Sequence, residues 1–526
     1  MPPFTLVPGQ NSLPLILMAA LPVLVVLTLM LAFRWSGALA GLAGWLSALA
    51  LAVLVFGADL QVVLVSLLRA GLLLIYVLYI IWPGLFLYNL VKQTGGIDVI
   101  AGRLFRMAPD PTLQILVLAW VFSSFLEGVA GFGIPVAVVA PTLISAGFAP
   151  LTAVVAVAIG HAWAVTFGSF GICFVALVAA SQESAAALGP WSAVMIGAAC
   201  LLTGLAVAHA FRGGRSLARA LPAILLVGAA MAGSLYLLVA NGLYTLAGFG
   251  SGLAGLLVSA AVARLPFYRP ATPPERLAGG DPAAPAIPLL QAVLPYLLVL
   301  IIVVAAQFLL PLQRLLGLVE LALPLPETVT RLGWVVPAGT GKVTSLLGDP
   351  GALMIYAILI SYILFRRGGW LQRGAFHRVL RATWGNAGGA SLGIISMVAL
   401  AMIMDQSGMS HALAVGLSQA LASAYPLLSP VIGVLGVFVT GSNTNSNVMF
   451  AMLQKQSALL LDLALPVILG AQTAGGAVGS MLAPAKIIVG CSTAGLAGQE
   501  GRVLRRTFVY GLLIALALGG LAWLAA

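Results

Sequence analysis

Glu127-Gly-Val-Ala-Gly-Phe-Gly-Ile-Pro135 and Thr440-Gly-Ser-Asn-Thr-Asn-Ser-Asn447 are the two stretches on which the fold turns. The first follows the apolar run Ile115 to Leu126. Neither stretch suits an ordinary lipid-facing helix. Glycine frees the backbone for a turn. Ser, Thr and Asn side chains bond nearby backbone groups and favour caps and turns. In a bilayer, irregular backbone persists only where protein buries it or where it lines a cavity. Both stretches are therefore read as tips of discontinuous helices or re-entrant hairpins. The competing structure is a pair of close-packed small-residue helix interfaces.

The surrounding composition sets the solvent. Of 526 residues, 62% are hydrophobic and 7% charged, where a soluble domain carries about a quarter charged residues. So few charges cannot coat a water-facing surface, so lipid must cover it. Apolar runs such as Ser12 to Phe33, Ser36 to Gly57, Val62 to Val91, Leu217 to Ala240, Leu289 to Leu310 and Thr507 to Ala526 are long enough to span. At roughly 20 residues per span, about 11 to 14 spans are predicted. The expected class is an all-α polytopic membrane protein. The first run lacks a basic leader and is too long for a signal core, so it is expected to remain as a span. Cys173, Cys200 and Cys491 have no metal-binding spacing and read as packing residues.

The net charge of +11 sits in short connectors, including Arg212 to Arg219, Arg264 to Arg276, Arg366 to Arg381 and Arg502 to Arg506. Basic residues in short loops mark the cytoplasmic side. They are read as topology determinants and lipid-headgroup contacts, not as a nucleic-acid surface. Met1 to Ser12 has no basic residue and is predicted outside. The segment Leu312 to Pro350, with Glu320, Glu327 and Asp349, is also placed outside, as a partial cap. A Pro-rich cytoplasmic linker, 264–288, divides a first half (1–263, repeat core about 92–211) from a second (289–526, repeat core about 385–500).

The halves resemble each other. Lys92-Gln-Thr-Gly95 matches Asp405-Gln-Ser-Gly408, and Glu127-Gly128 matches Thr440-Gly441, both at a separation of 313 residues. Gly168-Ser169 matches Gly479-Ser480 at 311. The first motif follows an inward crossing and the second an outward one. The repeats are therefore inverted, an arrangement that places the substrate site near mid-membrane between them.

Chemistry-bearing residues are few. A broken helix offers backbone N–H groups and a positive dipole end, which suit a carboxylate. On that ground Gly128, Gly131 and Gly133 of the first tip, and Ser442, Asn443, Thr444, Asn445 and Asn447 of the second, are candidate substrate contacts. Glu127 is the sharpest candidate, because an ionisable group within the membrane is costly and marks a functional site by default. An acid in apolar surroundings takes up a proton more readily than one in water, which suits proton coupling. The alternative is an ion pair or a capped helix end. His161, flanked by glycine, reads equally as a proton-exchanging group or as a satisfied buried imidazole. Lys486 either neutralises an anion or snorkels to the interface. Asp405 is either interfacial or part of a proton pathway. Gln472 and Thr473, in the Gly-rich segment Gly470 to Gly479, could hydrogen-bond a substrate hydroxyl.

The sequence resembles the lactate permease family, which includes glycolate permeases. The resemblance is carried by Phe122-Ser-Ser-Phe-Leu-Glu-Gly-Val-Ala-Gly-Phe-Gly-Ile-Pro-Val-Ala137, Gly160-His-Ala-Trp-Ala-Val-Thr-Phe-Gly-Ser169, Thr440-Gly-Ser-Asn-Thr-Asn-Ser-Asn447 and Ala471-Gln-Thr-Ala-Gly-Gly-Ala-Val-Gly-Ser-Met-Leu-Ala-Pro-Ala-Lys486. It implies uptake of lactate or glycolate with a proton. The family is also grouped with ion-coupled carboxylate carriers whose repeats each bear a Ser-Asn-Thr tip. Ser442-Asn443-Thr444 matches that tip, but the first half has Val129-Ala130-Gly131 in its place. That departure speaks against a paired sodium site. By the same analogy a scaffold and a moving transport domain, of elevator type and in a homodimer, are implied.

No Walker A motif, Cys/His metal spacing or GxSxG is present, so an enzyme and an ATP-driven pump are both disfavoured. The expected function is secondary active symport of a small 2-hydroxy monocarboxylate with protons in the cell inner membrane, with lipid and a second copy of the chain as the other partners and no cofactor. A sodium-coupled carboxylate or dicarboxylate carrier is the alternative, and an anion channel the more distant one.

Overall fold

The computed structural model describes residues 13–33, 35–108, 110–131, 133–268 and 287–526. The linker expected at 264–288 and the uncharged N-terminal stretch fall largely outside these residues. Among the described residues, thirteen helical segments are long and apolar enough to cross a bilayer, within the range expected from the sequence.

Helices α1 (Leu13–Leu31) and α2 (Gly37–Leu54) pack on each other at the periphery. The first repeat opens with α3 (Leu60–Gln93), capped by the Asp59 carboxylate on the Val62 N–H. It turns at Gly95 into α4 (Gly96–Met107). Next comes a limb made of α5 (Pro111–Ile115), a π-helical stretch (Leu116–Phe122) and α6 (Ser123–Val129). After the tip, α7 (Ile134–Ser145) packs back along that limb, so the pair is a hairpin. A broken helix follows: α8 (Pro150–Gly160), a 3-10 turn (Ala162–Thr166) and α9 (Gly168–Ser181). Helix α10 (Ala185–Arg212) closes the repeat. Helices α11 (Gly214–Ala240), α12 (Tyr244–Val262), α13 (Leu289–Phe308) and the short α14 (Leu310–Leu316) connect the halves, and α15 (Pro350–Arg367) leads into the second repeat.

The second repeat has the same order. A long α16 (Ala375–Gln406) turns at Gly408 into α17 (Met409–Leu421). Helices α18 (Tyr425–Thr440) and α19 (Asn443–Leu460) form a hairpin; the Ser446 hydroxyl of α19 donates to the Gly433 carbonyl of α18 at 3.0 Å. The broken helix is α20 (Leu465–Gly479), a 3-10 turn (Ser480–Leu482) and α21 (Pro484–Thr493), and α22 (Glu500–Ala525) closes it.

The repeats run in opposite directions. Trp82 of α3 bonds Ser391 of α16, Asn89 bonds Thr383, and Gln93 bonds Arg378. As the number rises along one helix it falls along its equivalent, so the matched long helices are antiparallel. The packing is also exchanged: α9 lies on α19, and its equivalent α21 lies on α7, the equivalent of α19. Each repeat's broken helix therefore supports the other repeat's hairpin. The hairpin limb Pro111–Val129 is 94% buried, against 17% for Leu13–Met30. The irregular backbone thus lies inside protein, as a bilayer requires.

The segment between α14 and α15, expected as a partial cap, is an antiparallel β-ribbon. Glu320–Leu321 pairs with Thr344–Ser345, Pro324–Leu325 with Gly339–Thr340, and Thr328–Val329 with Val335–Val336. Its tip crosses the starts of α3 and the end of α16. Arg331 N–H donates to the Gly57 carbonyl at 2.9 Å, and the Trp334 indole donates to the Asp405 carbonyl at 3.1 Å.

Candidate functional site

At the second tip, Gly441 has φ 73°, which glycine adopts without strain. Ser442 then caps α19, and Asn443, Thr444, Asn445, Ser446 and Asn447 form a first turn and a half that is wholly buried. Polar side chains there demand partners. The Asn447 amide donates to the Cys173 carbonyl at 2.9 Å and to the Thr473 hydroxyl at 2.8 Å. The Asn443 amide donates to the Thr166 hydroxyl at 3.1 Å and the Thr473 carbonyl at 3.3 Å. Thr444 and Cys173 are 3.3 Å apart, hydroxyl to sulfur. The amide oxygens of Asn443, Asn445 and Asn447 are buried with no protein partner. Acceptors thus remain unmet at a helix N-terminus, where the dipole favours negative charge.

The first tip supplies the acid. Glu127, in the last turn of α6, is 2% exposed, and its Oε2 has no partner. The Gly131 N–H donates to the Ser169 hydroxyl at 2.7 Å. A Cβ on Gly131 would lie 2.6 Å from Glu127 Oε1 and 2.8 Å from Ser169 Oγ. Glycine at this position is what lets the carboxylate and the hydroxyl close on the tip. Gly133, at φ 83°, turns the chain into α7 and lies against Lys486 in the first turn of α21. Ser169, Phe170 and Gly171 are all left-handed, with φ 47°, 58° and 76°. Non-glycine residues pay about 1–2 kcal/mol each for that conformation, and such strain collects at functional sites.

His161 is fully buried. Its Nδ1 lies 2.7 Å from the Val157 carbonyl, which can only accept, so Nδ1 carries the proton. Its Nε2 is then a bare acceptor with no partner. Lys486 forms no ion pair among the described residues. Helix α9 connects the two tips: its Ser169 hydroxyl takes the Gly131 N–H of the first, and its Cys173 touches Thr444 of the second.

A profile described as L-lactate permease matches residues 15–526. The chain belongs to the L-lactate permease family. Curated relatives include the L-lactate permease of Bacillus subtilis, 30% identical over 97% of this chain and 95% of that one. The L-lactate permease of Escherichia coli K12 is 27% identical, over 96% and 94%. Its glycolate permease GlcA is 25% identical over the same shares. Among solved structures, the Alcanivorax borkumensis YdaH transporter matches with a TM-score of 0.45 and 14% identity, over 86% of this chain and 85% of that one. The relatives are named permeases, so this member of the family is a multi-pass membrane transporter and not an enzyme.

Within this L-lactate permease family member, the structure gathers most of the sequence candidates. Glu127, Gly131, Gly133 and Lys486 meet at the first tip; Ser442, Asn443, Thr444, Asn447 and Thr473 meet at the second. His161 lies in the break after α8. Asn445 turns from Thr473 towards α16, its amide nitrogen facing Gly393. Gly128 faces away: a Cβ there would lie 2.6 Å from the Phe249 backbone nitrogen, so it is a close-packing position against α12. Gln472 is bound within α18–α20, accepting from Gln454 at 2.8 Å and donating to Ser446 at 3.2 Å. Asp405 stands apart, beneath the ribbon. Three contributors are not among the site candidates of the sequence reading: Thr166, Ser169 and Cys173, the last of which reads there as a packing residue. For Ser169 a signal existed, since Gly168-Ser169 is one of the repeat matches.

Proposed function

We propose that this permease carries a small 2-hydroxy monocarboxylate, L-lactate or glycolate, together with a proton. The substrate carboxylate takes the N–H groups at the start of α19. The unmet amide oxygens of Asn443 and Asn447 accept from the 2-hydroxyl. Glu127 takes the co-transported proton, and His161 Nε2 is a second acceptor for it. Protonation removes a buried charge, so the loaded site moves at lower cost than an ionised one. The observation that carries this reading is the buried, unpartnered Glu127 oxygen on one tip, joined through α9 to the polar turn of the other. The names of the relatives supply the substrate class.

The expected setting is a cell inner membrane with the ribbon outside, and the motion is of elevator type within a homodimer. In proteoliposomes, an inward proton gradient should drive labelled L-lactate uptake. Glu127→Gln should lose that response while keeping lactate–lactate exchange. Gradient-driven uptake that survives the substitution removes Glu127 from the mechanism. Sodium coupling is the second reading, favoured by the amide oxygens at the second tip, which suit a monovalent cation. It requires uptake that collapses when potassium replaces sodium at fixed pH.

A further inference from the structure

Some distance from the tips, a second polar space opens where α3, α9, α16 and the ribbon meet. Its volume is about 330 Å³, and its walls include Arg69, Gln182, Glu183, Thr340, Lys342 and Met402. Helix α9 joins it to the tip cluster. From Cys173 to Gln182 is nine residues, about 14 Å at 1.5 Å per residue. Helix α3 also spans both levels, with Gly84 against Phe170 and Arg69 in the cavity wall. The space thus lies on the seam between the long antiparallel helices and the broken-helix core.

The wall charges are arranged unevenly. Glu183 is held by Lys455 at 2.6 Å, and Lys455 also donates to the Ser181 carbonyl at 2.9 Å. Arg69 and Lys342 have no ion-pair partner among the described residues. Arg69 Nε is buried without any hydrogen-bond acceptor. The Lys342 ammonium stands over the Tyr76 ring, 4.1 Å from its centroid, which fixes its position. Asp405 and Asp349 are the neighbouring carboxylates, and neither belongs to the wall. Asp405 is 4% exposed beneath the ribbon, and Asp349 accepts the Ser345 N–H at 2.9 Å. The wall therefore carries a guanidinium and an ammonium free of ion pairs, and its one carboxylate, Glu183, is already held by Lys455.

We propose that this cavity is a second anion site, where Arg69 and Lys342 capture the substrate carboxylate from the ribbon side before it reaches the hairpin tips. The inference rests on the transport reading for its ligand but not for its charge selectivity, and the two are tested apart. The charge test uses the full chain carrying Thr340→Cys in detergent micelles, so that both faces are open. The probes are an anionic and a cationic methanethiosulfonate. The chain without Thr340→Cys corrects for the three buried native cysteines.

Relative to their rates with a free thiol, the anionic probe should react about tenfold faster than the cationic one, because a cationic cavity raises the local anion concentration. Arg69→Gln with Lys342→Gln should bring that ratio to near one. Lys342→Gln alone, on the ribbon and outside every helix, should give a smaller shift in the same direction. A ratio that is the same in all backgrounds overturns the proposal, whatever the chain transports. In uptake assays the double variant should raise the KM for L-lactate about tenfold with a nearly unchanged maximal rate, the pattern of lost binding. Arg69→Lys should restore most of the affinity. An unchanged KM also overturns the proposal. Glu127→Gln should leave the thiol ratio intact, so a failure of proton coupling is read separately.

Discussion

The Glu127 carboxyl and the Asn447 amide show how single residues mark out a candidate site. Both are costly inside a membrane protein unless they are used, which is why a sequence so poor in polar groups advertises them. Asn447→Ala removes the donor to the Cys173 carbonyl and the Thr473 hydroxyl. Leaving those groups unmet should destabilise the chain by about 1–3 kcal/mol, read as a lower thermal transition in detergent, with lactate uptake reduced as well. An unchanged transition temperature would contradict the bonds described. What the sequence hid at this scale is also physical. Thr166, Ser169 and Cys173 are small residues in apolar surroundings; the partners of Thr166 and Cys173 lie in the other repeat, 271 positions away for Cys173 and Thr444, and that of Ser169 lies on the hairpin tip of its own repeat, 38 positions back. Conversely, Gly128 has the look of a tip glycine but serves close packing on α12, and Gln472 looks available but is already bonded. Composition marks which residues are expensive; only the packing shows which of them remain unmet.

At the scale of elements, the hairpin tips depend on where a side chain is absent. Gly131→Ala would place a methyl group 2.6 Å from the Glu127 carboxylate. The acid must move, and proton-driven uptake should fall by about tenfold, the equivalent of about 1.4 kcal/mol. The protein should still fold, because Gly131 is not left-handed, so normal thermal stability with lost uptake is the expected pair of results. The ribbon makes a separate prediction. Burial pushes the Asp349 carboxyl up to about 6, with the Ser345 N–H and Lys342 pulling the other way. A carboxyl whose proton affinity is raised by folding stabilises the fold at low pH and loses that contribution as pH rises through about 6. Amide exchange in 317–349, corrected for its intrinsic pH dependence, should therefore quicken between pH 5 and pH 7. Asp349→Asn should abolish that difference. The tips were legible because Gly, Ser and Asn runs interrupt hydrophobic sequence. The ribbon was not, because each of its paired steps is two residues long, too short for the alternation that marks a strand.

For the molecule as a whole, the inverted repeat brings two oppositely oriented hairpins into one core. The repeat was readable because three short motifs kept nearly constant spacing. The exchange of supports, with α9 on α19 and α21 on α7, was not, because sequence spacing carries no information on which repeat holds which hairpin. That exchange ties both tips into one core, while α3 and α16 are tied to each other. A carrier that moves the core against these long helices should tolerate a lock within the long pair but not one across the seam. Asn89 and Thr383 are in contact at 3.1 Å. A disulfide formed by Asn89→Cys with Thr383→Cys should leave uptake within about twofold of the reduced form, since no relative movement of α3 and α16 is needed. Leu73 and Val178 face the same cavity from α3 and α9. Joining Leu73→Cys to Val178→Cys with a short bifunctional thiol reagent should stop uptake, and cleaving the bridge should restore it. If the bridge across the seam leaves uptake intact, the core does not slide along α3, and alternating access must come from the hairpins opening in place.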